Sequence, residues 1–568
     1  MKKLNIPFYI LLFTFAAMSC TSFIEEDPKG RIDESFLNTE DGLRYLVNSQ
    51  YSQSRLIVER LRYLGPFPSD IFTHSLNGSD VIEISRSRSN TMPDLSAFSD
   101  SWRDLYAGIN NMNYGIQALE ALSFSDSDVL RGELSFLRAW YYWLVVESWG
   151  EGAHFTIEPT STVVTEGNQA NIDIFYRLIL EDLNVAMQNL PEKSSEWGRA
   201  TQPAAKALKS RALLSLAGYS DGIISNTGLT DKTGLYTEAK KLAEDLINNY
   251  DFALLEDYES IFSVYNEQNV EIIWSVQFTA NDKFNTNGHG LHRYWVGNYN
   301  RSARTQAVVP RMYGHSIYYG REYRHHMMTR YFLSLFDEKD HRRDATIQTV
   351  WYALWDEAKQ EENDYGIPFR DGSRTDTVLY KPLFDVDEET AAEFEQRGIA
   401  IDGLNHIYQP DGTPYNAARS WYHTMRKFED PSREVPKKET SHKDVIILRL
   451  AEQYLIAAES AHFLGDDATA AMFIDALRQR ARKSPDALPV SPSEIDIDFL
   501  LDERARELGG ELIRWFDLKR THKLVERVKK FNPDGIDIET FHELRPIPQS
   551  ELDKVSDRSS FKQNPGYL

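Results

Sequence analysis

Residues 501–524 carry apolar side chains at helical spacing beside a dense row of charges. The apolar positions recur in steps of three and four, at Leu501, Ala505, Leu508, Leu512, Trp515 and Phe516. The charged positions have the spacing of ion pairs along a helix, at Glu503, Arg506, Glu507, Glu511, Arg514 and Asp517. These patterns predict one amphipathic core helix from Leu501 to Leu524, with its charged face in solvent. Gly509 and Gly510 interrupt it, which indicates that another part of the chain packs closely there.

Further helical segments lie on both sides of a long irregular region. Apolar periodicity predicts helices over residues 35–59, 102–122, 129–149, 172–190, 203–219, 236–250, 445–464 and 468–482. Small side chains recur where paired helices would touch, as at Ala457, Ala461 and Ala471. This pattern resembles the helical hairpins of tetratricopeptide repeats, although no strict period can be fixed. We therefore expect a mainly α fold with a tetratricopeptide-like scaffold over about residues 35–250 and 445–525.

The region between these helical parts, about residues 251–443, differs from them in composition. It contains short β-like runs, such as Glu271 to Phe278, and many clusters of turn-forming residues. Residues 63–101 are predicted to be loop-like as well. From Phe284 to Trp355 there are 14 aromatic residues in 72, about 19% against 12% for the whole chain. Since aromatic side chains on loops are hard to bury completely, we predict a large loop-rich insertion that offers some of them to a ligand.

The size and charge of the chain exclude some partners. The chain has 568 residues, 41% of them hydrophobic, which is ample for a large core. Its formal net charge is −23. A surface this acidic argues against binding to nucleic acid and against a polybasic contact with a membrane. It suits a protein whose ligand is neutral or is held through local contacts.

The first twenty residues have the pattern of a bacterial lipoprotein signal. Lys2 and Lys3 precede an apolar stretch, residues 4–18, which is too short to span a bilayer stably. Cys20 follows Ser19 and is the only cysteine, so the chain can form no internal disulfide and no cysteine metal site. We predict that residues 1–19 are removed and that Cys20 is lipidated. The alternative is an ordinary signal peptide with an incidental cysteine.

Several motifs follow one another in a fixed order between Cys20 and Tyr567. In the N-terminal half they are Glu26-Asp-Pro28, Trp102-Arg-Asp-Leu-Tyr-Ala-Gly-Ile109, Glu133-Leu-Ser-Phe-Leu-Arg-Ala-Trp-Tyr-Tyr142 and Arg199-Ala-Thr201. In the C-terminal half they are Leu448-Arg-Leu-Ala-Glu-Gln-Tyr-Leu-Ile-Ala-Ala-Glu459, Glu503-Arg-Ala-Arg-Glu-Leu508, Arg514-Trp-Phe-Asp-Leu-Lys-Arg520 and Arg545-Pro-Ile-Pro548. Each motif is weak by itself. As an ordered set they resemble the SusD/RagB family of Bacteroidetes outer-membrane lipoproteins.

This resemblance implies a fold and a function. The implied fold is a single SusD-like domain over residues 20–568, with four tetratricopeptide-like units on one side and a loop-rich ligand site on the other. Proteins of this family sit on the cell surface, bind an oligo- or polysaccharide, and close as a lid over a SusC-like TonB-dependent transporter. The resemblance therefore implies a glycan ligand, a transporter partner on the helical-repeat side, and an outer-membrane location through the lipid anchor.

Two stretches, residues 67–102 and 284–301, have the composition that a sugar-binding site requires. A sugar offers apolar C–H faces and a ring of hydroxyl groups, so its site needs aromatic planes and converging polar side chains. Ligand residues in the family typically come from loops at these two places. The predicted ligand contacts are Trp295 and Tyr299 as platforms, with Arg293, Asn298 and Asp80 as hydrogen-bonding partners. The alternative is that Trp295 or Tyr294 anchors its loop in the core. Arginines and histidines near residues 286–304 leave acidic glycans open as ligands.

Enzymatic and metal-dependent functions find little support in the sequence. With 86 acidic residues, chance pairs of carboxylates are inevitable, so no pair indicates a glycosidase. The pairs His289/His292 and His325/His326 lack the carboxylate motif of a zinc site, and no phosphate-binding glycine loop or nucleophile elbow occurs. We expect no enzyme activity, no cofactor and no metal. Two alternatives stay open: a helical-repeat interaction lipoprotein without its own sugar site, and a glycoside hydrolase on an α-helical scaffold.

Overall fold

The computed structural model describes residues 34–122, 124–162, 165–229, 231–281, 288–308, 315–352 and 377–567. The predicted signal peptide and Cys20 therefore lie outside the described residues. The longer helices are α1 (Glu40–Leu64), α2 (Ser96–Ala121), α3 (Ser127–Trp149), α4 (Ile172–Asn189), α5 (Gln202–Ala217), α6 (Lys232–Asn248), α7 (Leu450–Phe463), α8 (Asp467–Ala481), α9 (Ile497–Leu508), α10 (Arg514–Arg520) and α11 (Leu524–Phe531). Shorter helices occupy Glu34–Leu37, Ser79–Ser85, Asp221–Asn226, Leu291–Tyr294, Ala303–Val308, Arg330–Ser334, His341–Thr346, Glu388–Gln396, Leu404–Ile407 and Gln549–Leu552.

The strands are short and form small separate sheets. They are β1 (Phe72–His74), β2 (Ile272–Val276), β3 (His315–Ser316), β4 (Gly320–Arg321), β5 (His326–Met328), β6 (Ile347–Gln348), β7 (Val350–Tyr352), β8 (Thr377–Tyr380), β9 (Ala400–Ile401), β10 (Thr424–Met425) and β11 (Val445–Arg449). β1 pairs with β5, β2 with β11, β3 with β4 and β6 with β10, all antiparallel. β8 lies between β7, its antiparallel neighbour, and β9, its parallel neighbour.

Consecutive long helices pack as hairpins. α1 packs on α2, α3 on α4, α5 on α6, and α7 on α8. Contacts between α2 and α3, α4 and α5, and α6 and α7 join one hairpin to the next. The loop-rich chain between α6 and α7 therefore leaves the helical stack and returns to it. This arrangement confirms the prediction of a mainly α, tetratricopeptide-like scaffold.

Local capping explains where several of these helices begin. The Thr39 side chain accepts a hydrogen bond from the Gly42 N–H (3.1 Å) at the start of α1, and Asp231 accepts one from Gly234 (2.8 Å) at the start of α6. Such caps typically stabilise a helix by about 1 kcal/mol. α2 begins at Ser96, although the sequence predicted loop until residue 101. Asp80 caps α2 from outside the helix, because its carboxylate accepts the Ala97 N–H at 2.7 Å.

The predicted helix over residues 445–464 is a strand followed by a helix. Val445 to Arg449 form β11, which pairs with β2, and α7 begins at Leu450. The run Val445-Ile446-Ile447 consists of β-branched side chains, which favour a strand when a partner strand is present. The partner lies more than 160 residues earlier in the chain, at Ile272–Val276. Short-range periodicity could not reveal it.

The predicted helix over residues 501–524 is also two elements. α9 ends at Leu508, and α10 starts at Arg514 after a turn in which Gly510 has φ +91°. A Cβ atom on Gly509 would lie 2.6 Å from Cζ of Phe332, and one on Gly510 would meet the sulfur of Met425. The prediction of close packing at this glycine pair is thereby confirmed. The prediction of one continuous helix is wrong, because the positive φ at Gly510 ends the helical path.

The charged face of α9 is buried, which contradicts the predicted solvated face. Glu503 and Glu507 are fully buried, and Arg342 Nη1 lies 2.8 Å from Glu503 Oε1 and 3.0 Å from Glu507 Oε2. Arg449 Nη1 lies 2.8 Å from Glu507 Oε1 and 2.8 Å from Glu271 Oε1. We call these five side chains the α9 ion-pair network. The network connects α9 to Glu271, which directly precedes β2, to Arg449 in β11 and to Arg342 in the insertion. These charges therefore form ion pairs in the interior and not a solvent-exposed face.

This network predicts a loss of stability in acid. Burial by itself would raise the pKa of Glu507, but Arg480, Arg449 and Arg342 together lower it from 4.5 to about 2. A carboxylate with a lowered folded-state pKa stabilises the fold above its unfolded pKa and loses that contribution as the pH falls. We expect the urea midpoint to drop between about pH 4.5 and pH 2. A midpoint that stays constant over that interval would show that the network does not stabilise the fold.

Candidate functional site

The two sequence stretches predicted to hold the ligand meet at one part of the surface. The antiparallel pairing of β1 with β5 brings the first stretch alongside residues 320–328. Asn77 Nδ2 donates a hydrogen bond to the carbonyl oxygen of Tyr323 (2.9 Å). The Tyr323 N–H in turn donates to the carbonyl oxygen of Arg293 (3.1 Å). A third segment, residues 320–328, therefore joins the two predicted stretches.

A buried carboxylate holds the base of the first stretch. Asp70 is fully buried, and its Oδ2 lies 2.6 Å from Nη2 of Arg514 and 2.8 Å from Nε of Arg527. Burial alone would raise the pKa of Asp70, but the two guanidiniums lower it, so the group stays ionised. The strand that follows Asp70 is thus fixed to α10 and α11 at the far end of the chain.

Alternating guanidinium and phenol groups lie at this meeting point. The guanidinium of Arg62 lies 3.8 Å from the ring centroid of Tyr63 and 4.1 Å from that of Tyr294. The guanidinium of Arg293 lies 4.4 Å from the ring centroid of Tyr323. At such distances a cation is attracted to the face of an aromatic ring, so the guanidiniums hold the tyrosine rings in place. Tyr63 and Tyr323 are half-buried, so each keeps part of its ring accessible. We call these five residues the arginine–tyrosine cluster.

An exposed carboxylate bridges two arginines at the edge of this cluster. Glu439 Oε2 lies 2.6 Å from Nη1 of Arg293, and its Oε1 lies 2.6 Å from Nη1 of Arg321. The hydrogen bonds from Arg321 and Arg293 lower the pKa of Glu439. The glutamate therefore stays ionised and fixes the position of the Arg293 side chain.

A neutral histidine lies against the cluster. The ring of His325 stacks on Tyr294 with centroids 4.9 Å apart, and its Nδ1 accepts a hydrogen bond from Arg62 (3.2 Å). Burial, together with the charge of Arg62 and two other arginines, lowers the pKa of His325 to about 3. The ring is therefore uncharged at neutral pH and serves the cluster as an apolar plane and a hydrogen-bond acceptor.

Trp295 lies beneath this surface. Its side chain is 1% exposed, and its ring meets Phe72 edge-on at 4.7 Å and His326 at 4.4 Å between centroids. A ring without an accessible face cannot stack on a sugar, so a platform role for Trp295 would require this region to open. The arrangement matches the alternative in which Trp295 anchors its loop in the core.

The other predicted ligand residues occupy different positions. Tyr299 is 1% exposed and donates a hydrogen bond to the carbonyl oxygen of Gly320 (3.3 Å). Asn298 is buried, and its N–H donates to the carbonyl oxygen of Ser420 (2.7 Å). Asp80 lies partly at the surface, where it caps α2, and Arg293 lies in the cluster. Of the five predicted residues, Arg293 and Asp80 thus reach the solvent in this structure.

Sequence reasoning missed the side chains that complete the cluster. Tyr63 lies near the C-terminal end of α1, beyond the predicted end of that helix at residue 59. Tyr323 belongs to the aromatic-rich segment from residue 284 to residue 355, so composition already indicated its neighbourhood. Arg62 and Glu439 carried no local signal, because their contacts with Tyr294, Arg293 and Arg321 join segments more than one hundred residues apart.

Comparison with known proteins identifies the family. The model of the SusD family matches residues 259–567, which is more than half of the chain. The chain belongs to the SusD family. A second family model, described as starch-binding and associating with the outer membrane, matches residues 23–214. The second match covers α1 to α4 and most of α5, and the first covers most of the loop-rich region and the helices from α7 onward.

Individual relatives extend over most of this SusD-family chain. A SusD-like protein of Formosa agariphila is 25% identical over 587 residues, covering 97% of both proteins. The starch-binding protein SusD of Bacteroides thetaiotaomicron is 25% identical over 479 residues, 81% of this chain and 76% of that protein. A solved structure, that of a laminarin-binding SusD-like protein, has a TM-score of 0.63 at 22% identity, covering 93% of this chain and 100% of that one. This last likeness shows a shared fold.

Two further features bear on membranes and metals. Within the seven described ranges, no helix combines the length and the apolar character needed to cross a bilayer. Among the same residues, no group of three or more histidine, cysteine, aspartate or glutamate side chains is arranged to hold a metal ion.

Proposed function

We propose that this SusD-family protein is a cell-surface lipoprotein that binds an oligo- or polysaccharide through the arginine–tyrosine cluster. Two of its relatives are named for starch and laminarin binding, which supports a glycan as the ligand class. On this chain the supporting observation is the cluster itself. It combines partly exposed aromatic rings with fixed hydrogen-bond donors at the place where both predicted ligand stretches meet.

The chemistry of the cluster suits a sugar ring. The accessible parts of Tyr63 and Tyr323 offer apolar surface to the C–H face of a pyranose, while their phenol groups can bond its hydroxyls. Arg293 and Arg321 add N–H donors whose positions Glu439 restrains. Restrained donors lose less entropy when a ligand binds than mobile side chains do. An acidic sugar could share these guanidiniums with Glu439, so the cluster accepts neutral and acidic glycans.

The five residues predicted from the sequence have different roles in this proposal, from direct contact with the ligand to support of the loop. Arg293 contacts the ligand directly. Asp80 positions the first stretch by capping α2, and Trp295 supports the Arg293 loop from below. Tyr299 and Asn298 hold the loop that follows. Trp295 and Tyr299 would become platforms only if binding opened the loop.

The double substitution Arg293→Ala/Tyr323→Ala tests the cluster. We expect the affinity for the polysaccharide bound by the wild-type chain to fall at least about tenfold, because a stacking face and a charged donor are both lost. Isothermal titration measures the dissociation constants. Tyr415→Ala is the matched control, since Tyr415 is 42% exposed and lies outside the cluster. Unchanged affinity in a folded double variant would remove the cluster from the binding site.

We further propose that the protein is held on the outer membrane by a lipid on Cys20 and closes over a SusC-like TonB-dependent transporter. The outer-membrane description of the second family model supports the location. The exposed faces of the helical hairpins offer a broad surface to such a partner. Co-purification with the transporter from solubilised outer membranes tests the partnership, and recovery of the lipoprotein alone would argue against it.

The lipid anchor has its own test. Cys20→Ala removes the thiol that would carry the acyl chains, each of which adds about 0.8 kcal/mol of membrane affinity per buried methylene. We expect the variant to leave the membrane fraction. Fractionation identical to the wild type would contradict lipidation at Cys20.

A further inference from the structure

A cavity of about 660 Å³ lies in the insertion and shares no lining residue with the arginine–tyrosine cluster. Its walls come from the chain after α6, from β7 and β8, and from the turn between β3 and β4. Sites for small ligands typically have volumes of about 300–1,000 Å³, so the cavity is large enough for several sugar units. The proposed glycan site does not account for it.

Tyrosine side chains form much of the wall. Tyr265 is 77% exposed and Tyr318 is 42% exposed, while Tyr352 and Tyr380 are half-buried. A single exposed aromatic side chain is common, but several tyrosines grouped around one cavity form a surface of the kind that binds ligands. Tyr265 in particular presents most of its ring to solvent beside the cavity.

The tyrosine wall rests on a rigid base. Tyr319 packs against Trp351 with centroids 6.3 Å apart, and its hydroxyl oxygen accepts a hydrogen bond from the Tyr352 N–H (2.9 Å). Trp351 and Tyr299 are part of the same small buried core. The wall is therefore formed before any ligand arrives, which lowers the entropy cost of binding.

The charged groups of the cavity are already engaged with one another. Arg426 Nη2 lies 2.6 Å from Glu259 Oε1, and its Nη1 donates to the carbonyl oxygen of Asp344 (2.8 Å). Arg343 Nε donates to the Asp344 carboxylate at 2.8 Å. With Glu429, the described part of the lining holds three carboxylates and two guanidiniums. An anionic ligand would meet no uncommitted cation here, and an uncharged one would meet no repulsion.

One lining group retains capacity for a hydrogen bond. Glu429 places Oε2 3.4 Å from Arg426 Nε, while its Oε1 is buried and has no hydrogen-bond partner among the described residues. This oxygen is shielded from the cavity, so a ligand hydroxyl could donate to it only after the Glu429 side chain turned toward the cavity. Buried carboxylate oxygens without a donor are costly, so such a bond would stabilise the complex.

We infer that this cavity is a second carbohydrate site, which takes an uncharged segment of an oligo- or polysaccharide. The ligand class rests on the proposed glycan-binding function, and the location rests on the cavity alone. Tyr265 and Tyr318 contact the faces of the sugar rings. The arginine–tyrosine cluster and this cavity would then bind one long glycan at two separate points. Such two-point binding raises the overall affinity of the protein for the glycan.

The double substitution Tyr265→Ala/Tyr318→Ala tests this site in the full mature chain. The probes are laminarin and soluble starch as neutral polymers and alginate as an acidic one, each cast into native gels. We expect the variant to bind the retained neutral polymer about tenfold more weakly than the wild type. Tyr415→Ala, with the same exposure as Tyr318, should bind like the wild type. Since both tyrosines are exposed, circular dichroism should show unaltered folding.

The outcomes separate this site from the proposed function. Wild-type binding of the neutral polymers by Tyr265→Ala/Tyr318→Ala would overturn the second site and leave glycan binding intact. Retention by alginate alone would also overturn it. A wild-type chain retained by neither neutral polymer would overturn this second site, while glycan binding itself is tested by a wider panel of polysaccharides. Weakening by the cavity variant while Arg293→Ala/Tyr323→Ala still binds the neutral polymer would establish two separate sites.

Discussion

Replacing Arg342 with alanine is expected to lower the free energy of unfolding by about 3–5 kcal/mol, because it leaves the buried Asp340 without its ion-pair partner and removes part of the positive charge around Glu503 and Glu507. Arg342 is fully buried and makes ion pairs with Asp340 (2.8 Å), Glu503 (2.8 Å) and Glu507 (3.0 Å). After the substitution Glu503 keeps Arg478 and Arg506, and Glu507 keeps Arg449 and Arg480, but Asp340 loses the arginine that neutralises it in the interior. Urea titration monitored by tryptophan fluorescence measures the change.

The neighbouring arginine provides a matched control. Arg343 pairs with Asp344 at 2.8 Å, but 22% of its side chain and 47% of that of Asp344 are exposed. Water can solvate both groups after the substitution, so Arg343→Ala should cost less than about 1 kcal/mol. Equal and small losses for Arg342→Ala and Arg343→Ala would show that the α9 ion-pair network adds little to stability.

Trp295→Ala is expected to cost about 3–5 kcal/mol of stability, because it empties the space under the Arg293 loop. The ring fills a position between Phe72, His326 and Phe428, and the surrounding backbone is held by strand pairing. Such a site cannot collapse easily around a cavity. The same urea titration measures the loss, and glycan binding should weaken in parallel as the loop loosens.

A half-buried tryptophan is the comparison for this substitution. Trp197 is partly exposed, so Trp197→Ala should cost clearly less than Trp295→Ala. A Trp295→Ala variant with wild-type stability and no glycan binding would support the platform role that the sequence predicted. It would contradict the buried, supporting role that the structure indicates.

The helices that the sequence predicted well are those decided by local pattern. α3 and α4 begin and end within two residues of the predicted bounds, since their apolar periodicity and the stops at Gly150 and Pro191 lie in the chain itself. β11 was mistaken for helix because its partner, β2, is distant in sequence. The start of α2 was placed late because Asp80 caps it from another segment.

The candidate binding surface was predictable by region and not by residue. Composition located both stretches that converge at the cluster, and the arginine at position 293 lies there. Trp295 and Tyr299 have the residue types of platforms, but both are buried, as is the neighbouring Tyr294. Tyr323 and Trp295 could be told apart only after the pairing of β1 with β5 fixed which side faces the core.

The charged row on α9 shows why charge does not imply exposure. Glu503 and Glu507 have the spacing of a solvated helix face, yet arginines from three distant segments meet them in the interior. Each partner is unremarkable in its own stretch of sequence. Only the assembled fold brings opposite charges together densely enough to bury them.

Affinity electrophoresis of the mature chain across a panel of polysaccharides tests the central claim most directly. We expect that at least one polysaccharide slows the migration of the wild-type chain, that Arg293→Ala/Tyr323→Ala restores faster migration at least in part, and that no reducing ends are released. Migration unchanged by every polysaccharide would contradict glycan binding and favour a helical-repeat interaction protein. Release of reducing ends would contradict a purely binding role.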